Sequence, residues 1–320
     1  MRGLTTPLLT ILLPLGLSGI SLPLIEALTT VPREPSAPPT RIVALTLGTA
    51  ELIADLVPTN RIQAVSYLAT KEGVSNVASL LAGVPSIRGV NTEELLKRHP
   101  DLILASRYTE PAAISQLRRC GLPVLRFTDH ESFRQIERNV RQLGRTIEAQ
   151  EQAKRIVDWM RDTLRAVREA VAGKDQSAER VLFFNGHFTA GQETLTDAQI
   201  DLAGGINLAS LAGIEGYAPI SDELVVALDP TVIVLTVSLR SKGDFADPRG
   251  AILAKSAWRN VTAIREGRVH LLPNEHLSTR SPYAVLAVVD LAKVLHPEVA
   301  ESIDVAPHPS RPSSSTRGSR

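Results

Sequence analysis

Residues 141–173 read RQLGRTIEAQEQAKRIVDWMRDTLRAVREAVAG. Apolar side chains fall at Leu143, Ile147, Ile156, Met160, Leu164, Val167 and Val171, mostly three or four apart. That is the repeat of a helix with one buried stripe. The residues between them are mostly good helix formers. No proline interrupts the run, and Gly173 stands where a helix stops. The pattern predicts a single helix of roughly 45 Å at 1.5 Å per residue. Its stripe is too irregular for sustained heptads, so we read residues 143–173 as a brace between two lobes.

The flanking halves repeat each other. NTEELLKRHPDLIL (residues 91–104) and SDELVVALDPTVIV (residues 221–234) align at a constant offset of 130, Pro100 on Pro230 and Glu93 on Glu223. Each block reads as a helix-start signal, an apolar helix face, a proline break and a buried-type strand. RIVALT from Arg41 and RVLFFN from Arg180 open each half with a strand.

In the first half, strands are expected at residues 41–46, 61–66, 101–106 and 122–127, with Asn91 and Glu94 forming a capping box between them. In the second they are expected at 181–185, 231–237 and 268–272, with Thr196 capping a helix and residues 281–295 forming the closing one. Strands alternating with helices imply mainly parallel sheets with covered faces. The expected fold is therefore α/β: two Rossmann-like lobes, residues 41–142 and 179–297, joined by one long rigid helix.

Composition narrows the function. A hydrophobic content of 43% belongs to a folded chain. A net charge of +1 gives no reason to expect nucleic acid as a partner. The one cysteine, Cys120, excludes an intrachain disulfide or a cysteine metal cluster and is expected to be a buried structural thiol. Residues 1–30 read as an export signal, with Arg2 before an uncharged apolar run. Pro7, Pro14 and Pro23 argue against a retained membrane anchor. Residues 31–40 are a proline-rich lead-in, and residues from 305 to 320 are expected to be a disordered tail.

The landmarks RIVALTLGTAELI, NTEELLKRHPDLILAS, FFNGHFTAGQETLTDAQIDLAGGINLA, ISDELVVALDP and AWRNVTAIREGRVHLLP, in this order around the central helix, resemble the periplasmic solute-binding proteins of ABC importers for cobalamin, haem and ferric siderophores. The resemblance covers residues 41–297. It implies two lobes clamping a ligand in the cleft between them, a periplasmic location, a monomer, and delivery to an inner-membrane ABC permease. It implies no cofactor and no bond-making chemistry; the cargo is a metal complex, either a ferric siderophore, haem or cobalamin. It also gives Glu93 and Glu223 a role in docking on permease arginines, with Glu94 and Asp222 as neighbouring candidates. Read from sequence alone, each acid favours the first turn of its helix through the dipole.

Ligands of open α/β sheets sit beyond the carboxyl ends of the strands. That nominates Tyr67, Arg107 and Tyr108 in the first lobe, and Asn185, His187, Tyr217, Arg240, His276 and Arg280 in the second. Arginine suits oxygen anions, and tyrosine or histidine suits haem iron. Trp258 is expected to pack. Two alternatives remain open at this stage. One is a metal-ion carrier, although the histidines show no paired spacing and no metal ligands are assigned. The other is an exported α/β hydrolytic enzyme, although GxGxxG, GxSxG, P-loop and HExxH patterns are absent.

Overall fold

The computed structural model describes residues 37–173, 179–236, 238–239, 245–246 and 248–310. The expected export signal, residues 31–36 of the lead-in, Arg240 and residues 311–320 lie outside them.

The first lobe runs β1 (Ile42–Ala44), α1 (Leu47–Ala54), β2 (Ile62–Ser66), β3 (Ser86–Ile87), α2 (Thr92–Lys97), β4 (Leu102–Ser106), α3 (Pro111–Arg119) and β5 (Val124–Phe127). The sheet is parallel throughout, in the order β3-β2-β1-β4-β5. Strands β1 and β4, at the switch point, are buried at every position because both faces are covered. Ile42, Ala44, Leu102 and Leu104 face the main core. Val43, Ala64 and Ile103 face Leu95 of α2 and Leu117 of α3 on the other side.

Two helices follow, α4 (Phe133–Thr146) and α5 (Gln150–Val171). The expected single helix over 143–173 is therefore broken. Glu148 adopts the left-handed conformation at φ 58°, and Ala149 N–H bonds back to the Gly144 carbonyl at 2.7 Å. This is a six-to-one helix stop made without glycine at the left-handed position. The apolar period runs across the break through Leu143, Ile147 and Ala153, so the pattern concealed it. Gly144 lets the two helices touch: a Cβ there would lie 2.5 Å from the Ala153 Cβ. The bracing role falls to α5 alone, roughly 33 Å long at 1.5 Å per residue. It packs on α4 on one side.

The second lobe comprises β6 (Arg180–Phe183), β7 (Phe188–Ala190), α6 (Leu195–Leu202), β8 (Ile206–Asn207), α7 (Leu208–Leu211), β9 (Tyr217–Pro219), α8 (Asp222–Leu228), β10 (Val232–Thr236), the short pair β11 (Ser238–Leu239) and β12 (Phe245–Ala246), α9 (Arg249–Leu253), α10 (Thr262–Arg265), β13 (Val269–Leu272), α11 (Asn274–Leu277) and α12 (Ala284–Leu295). Its sheet is also parallel, β13-β10-β6-β8, and β7 pairs antiparallel with β9. Val181, Phe183, Val232 and Val234 join the main core, whereas Leu182, Ile233 and Leu235 pack with Trp258 beneath α8. Trp258 is fully buried against Phe184, as expected of a packing residue.

On its other side α5 meets α6 and α12, and one core cluster runs from Ile42 through Met160 to Val234. Each fully buried aliphatic side chain in it contributes roughly 1.5–3 kcal/mol.

Three local expectations are corrected. Thr194, not Thr196, caps α6, its hydroxyl accepting from Asp197 N at 3.0 Å. Cys120 is exposed at the end of α3 rather than buried. Of the tail expected from residue 305, residues 305–310 instead pack on the body. Trp159 Nε1 donates to the Ala306 carbonyl at 2.9 Å, and the His308 ring stacks on Tyr283 with centroids 4.6 Å apart. A short segment that carries its own aromatic and hydroxyl partners docks without any apolar period of its own.

Candidate ligand cleft

The parallel first sheet reverses its winding between β1 and β4, the switch point where the strand ends leave a crevice. A mostly apolar cavity of about 350 Å³ opens there. The residues that follow β1 (Leu45, Thr46), the last residues of β2 (Ser66) and β4 (Ser106), and Phe127 of β5 form its first-lobe wall. The loop 278–282 between α11 and α12 closes it from the second lobe.

Arg280 enters from that loop, and both lobes hold it. Its Nη2 donates to Tyr217 Oη at 2.5 Å, and its Nε lies 3.5 Å from Glu131 Oε2 of the first lobe. Nη1 donates to the Ser278 and Thr279 carbonyls, both at 3.2 Å. Burial pulls its pKa down, but Tyr217, Glu131 and Tyr108 more than offset this and the net shift is upward. The guanidinium therefore stays charged in a largely apolar chamber.

His130 lies beside it, 3% exposed. Among the described residues neither ring nitrogen has a hydrogen-bond partner, and Tyr108 packs edge-on at 5.1 Å. Burial lowers its pKa; Arg280 and Arg107 add to that, and Glu131 opposes it. A neutral imidazole with both nitrogens free can donate to, accept from or ligate a guest. Tyr108 lines the same wall, its hydroxyl 3.4 Å from Glu131 Oε1, and burial raises its pKa.

Of the nominated residues, Tyr108 and Arg280 line the cavity, and Tyr217 stands behind Arg280. Arg107 points at Glu131 from outside the lining, at 3.7 Å. Four nominations fall elsewhere. Tyr67 stacks under the Arg88 guanidinium at 4.3 Å. Asn185 and His187 sit in the exposed turn between β6 and β7. His276 is engaged by Asp290 at 2.6 Å. Arg240 lies outside the described residues. The strand-end rule applied to β5 also points to His130, three residues beyond that strand. Glu131 was missed because its role depends on a partner 149 positions away.

The comparisons with known proteins decide the family. The periplasmic binding protein model matches residues 42–276, well over half of the chain. The chain belongs to the periplasmic binding protein family. This binding protein is 28% identical over 262 residues to the cobalamin-binding protein of Halobacterium salinarum, covering 81% of this chain and 70% of that one. It is 27% identical over 228 residues to the vitamin B12-binding protein of Yersinia pseudotuberculosis, covering 70% and 79%. Among solved structures, a periplasmic haem-binding protein from Pseudomonas aeruginosa superposes with a TM-score of 0.67 at 24% identity, covering 81% and 93%. The molybdate-binding protein MolA of Haemophilus influenzae superposes at 0.70 with 22% identity, covering 83% and 89%.

In this periplasmic binding protein, Glu93 and Glu223 occupy the same place in each lobe. Both are exposed in the first turn of a capped helix: Asn91 accepts from Glu94 N in α2, and Ser221 accepts from Leu224 N in α8. Their neighbours differ from them. Glu94 is paired with Arg98 at 2.8 Å and Asp222 with Lys255 at 2.7 Å. Among the described residues, Glu93 and Glu223 have no ion-pair partner. Among the described residues, no three His, Cys, Asp or Glu side chains stand close enough to hold a metal ion.

Proposed function

We propose that this chain is the exported substrate-binding component of an ABC importer, and that its cargo is a cobalamin-type corrinoid. One observation carries the reading. A mostly apolar cavity, entered by a single charged guanidinium, lies between two braced lobes of a chain whose relatives are named for cobalamin and vitamin B12. A corrinoid presents an apolar ring edge together with amide oxygens and a phosphodiester. The apolar wall suits the edge, and the Arg280 fork suits the oxygens. The enclosed volume sits at the low end for small-molecule sites, so part of the cargo would remain at the mouth. Haem or a ferric siderophore is the second reading, favoured by His130 and Tyr108, which offer nitrogen and oxygen donors to iron.

In this reading Glu93 and Glu223 dock on the permease. Two unpaired carboxylates set at equivalent positions on one braced body fix orientation, and charge complementarity speeds encounter. The protein binds and delivers; it makes no bond.

Titration of the purified chain with cyanocobalamin, hemin and a ferric catecholate siderophore tests the cargo. Trp159 and Trp258 fluorescence and the visible spectra report binding. Saturable binding of cyanocobalamin at about micromolar or tighter is expected. Hemin binding with a Soret shift and no cobalamin binding would replace the first reading by the second. A panel with no binder would overturn both.

A further inference from the structure

We propose that Glu51, a first-lobe residue remote in sequence from the cleft loop, is the positioning residue that sets Arg280 in the ligand cavity. Glu51 is 0% exposed and lies in α1. Its Oε2 accepts from the hydroxyls of Thr279 and Ser281, the latter at 2.7 Å. Those are the residues immediately before and after Arg280. Its Oε1 accepts from Asn76 N at 2.7 Å and Asn76 Nδ2 at 3.0 Å. Asn76 Nδ2 also donates to the Glu275 carbonyl at 2.6 Å, in α11 just before the same loop.

A buried carboxylate is costly unless its lone pairs are filled. Here four donors fill them, and two of those donors flank the cleft arginine. Burial raises the Glu51 pKa and these hydrogen bonds oppose the rise. The clamp extends along the loop. Thr279 Oγ1 and Ser281 Oγ lie 3.0 Å apart, and Tyr283 N donates to Ser281 Oγ at 3.3 Å where α12 begins. One turn further on, at the C-cap of α1, Asp55 Oδ1 accepts from Tyr283 Oη at 2.8 Å. Two carboxylates spaced i and i+4 on one helix thus hold both ends of the segment from Thr279 to Tyr283. Arg280 is the charged member of that segment; it lines the cavity with Thr279, Ser281 and Pro282, and its side chain reaches Glu131 and Tyr217. Without the clamp, a loop of five residues would present the guanidinium in many places instead of one.

The inference rests on the cleft reading, and its test separates the two. Cyanocobalamin and hemin affinities are measured for wild type, Glu51→Ala, Arg280→Ala and the double variant. Glu51→Ala should weaken the probe that binds by about tenfold in the wild-type background, and by less than about twofold beside Arg280→Ala, the non-additivity of one residue acting through another. Glu51→Gln should rescue, because its amide oxygen keeps Asn76 and the two hydroxyls can turn to accept from its NH2. Equal losses in both backgrounds, or no loss, would overturn the proposal.

If Glu51→Ala does not fold, Thr279→Val with Ser281→Ala removes the same clamp from the other lobe, with the same expectation. If neither probe binds wild type, the cargo reading fails while the positioning reading is still tested in the free protein. Hydrogen exchange across residues 279–283 should rise about tenfold in the clamp variant, with β10 unchanged. Unaltered exchange there would overturn it.

Discussion

His99 and Asp229 stand 130 positions apart and do the same work in the two lobes. Each ends a short helix in the left-handed region, at φ 47° and 43°. Each offers its carbonyl to the arginine that opens the lobe: Arg41 Nε donates to His99 O at 2.8 Å, and Arg180 Nη2 donates to Asp229 O. Beyond each lies a buried proline and then an inner strand of the sheet, β4 or β10. The repeat is therefore one of backbone geometry as well as of residue pattern.

The two positions should respond oppositely to glycine. A left-handed conformation costs an L-residue about 1–2 kcal/mol, and glycine adopts it without that cost. His99→Gly should raise stability by roughly 0.5–1 kcal/mol. Asp229→Gly should lower it by about 1–2 kcal/mol, because the Asp229 carboxylate accepts from Thr262 N at 2.7 Å and Thr262 Oγ1 at 2.9 Å. Urea denaturation of the two variants checks the sign of each.

Replacing Glu93 and Glu223 together by alanine should abolish import in a cell-based uptake assay and leave ligand affinity unchanged. Both side chains are exposed and distant in sequence from the cavity lining. A fall in affinity in that double variant would remove the docking assignment.

Arg280→Ala should weaken cyanocobalamin binding by about 10–100-fold, the loss of charge-assisted hydrogen bonds in a mostly apolar site. Arg280→Lys should recover little of it. An ammonium cannot reproduce the fork that meets Tyr217 and Glu131 at once. Isothermal titration of the two variants is the comparison to make; recovery by lysine would reduce the site to a point charge.

His130 should make the free protein acid-sensitive. Its folded pKa lies below the ordinary value of 6.5, chiefly through burial, so the unfolded chain binds the extra proton first. The stability associated with the neutral ring is fully present above about 6.5 and is lost as the pH falls below that value. Thermal melts between pH 7 and 5 should show a smaller acid-induced drop in His130→Gln than in wild type. Identical slopes would mean that His130 does not titrate across this range.

Much of this was legible in the chain. The 130-residue offset located the start of α2 with that of α8, and β4 with β10 at both ends, because caps, prolines and apolar strand runs are local signals. Asn91 and Ser221 cap as their residue types predict. Of the residues the strand-end rule names, Tyr108 and Arg280 line the cavity, whereas His187 and Asn185 lie in the exposed turn that leads into the β7–β9 ribbon. Nothing in TAELIADL marks Glu51 as different from any other helix glutamate.

The sequence by itself determined the periods, the caps, the repeat and hence two parallel α/β lobes, since each depends on residues within a turn or a strand of one another. Only the tertiary structure decided where α4 stops, that residues 305–310 dock, and which side chains share the cleft. Those outcomes rest on contacts such as Glu51 with Ser281, 230 positions apart. No local pattern encodes a partner at that distance: only the packing of both lobes on α5 brings the two together and leaves that carboxylate no solvent.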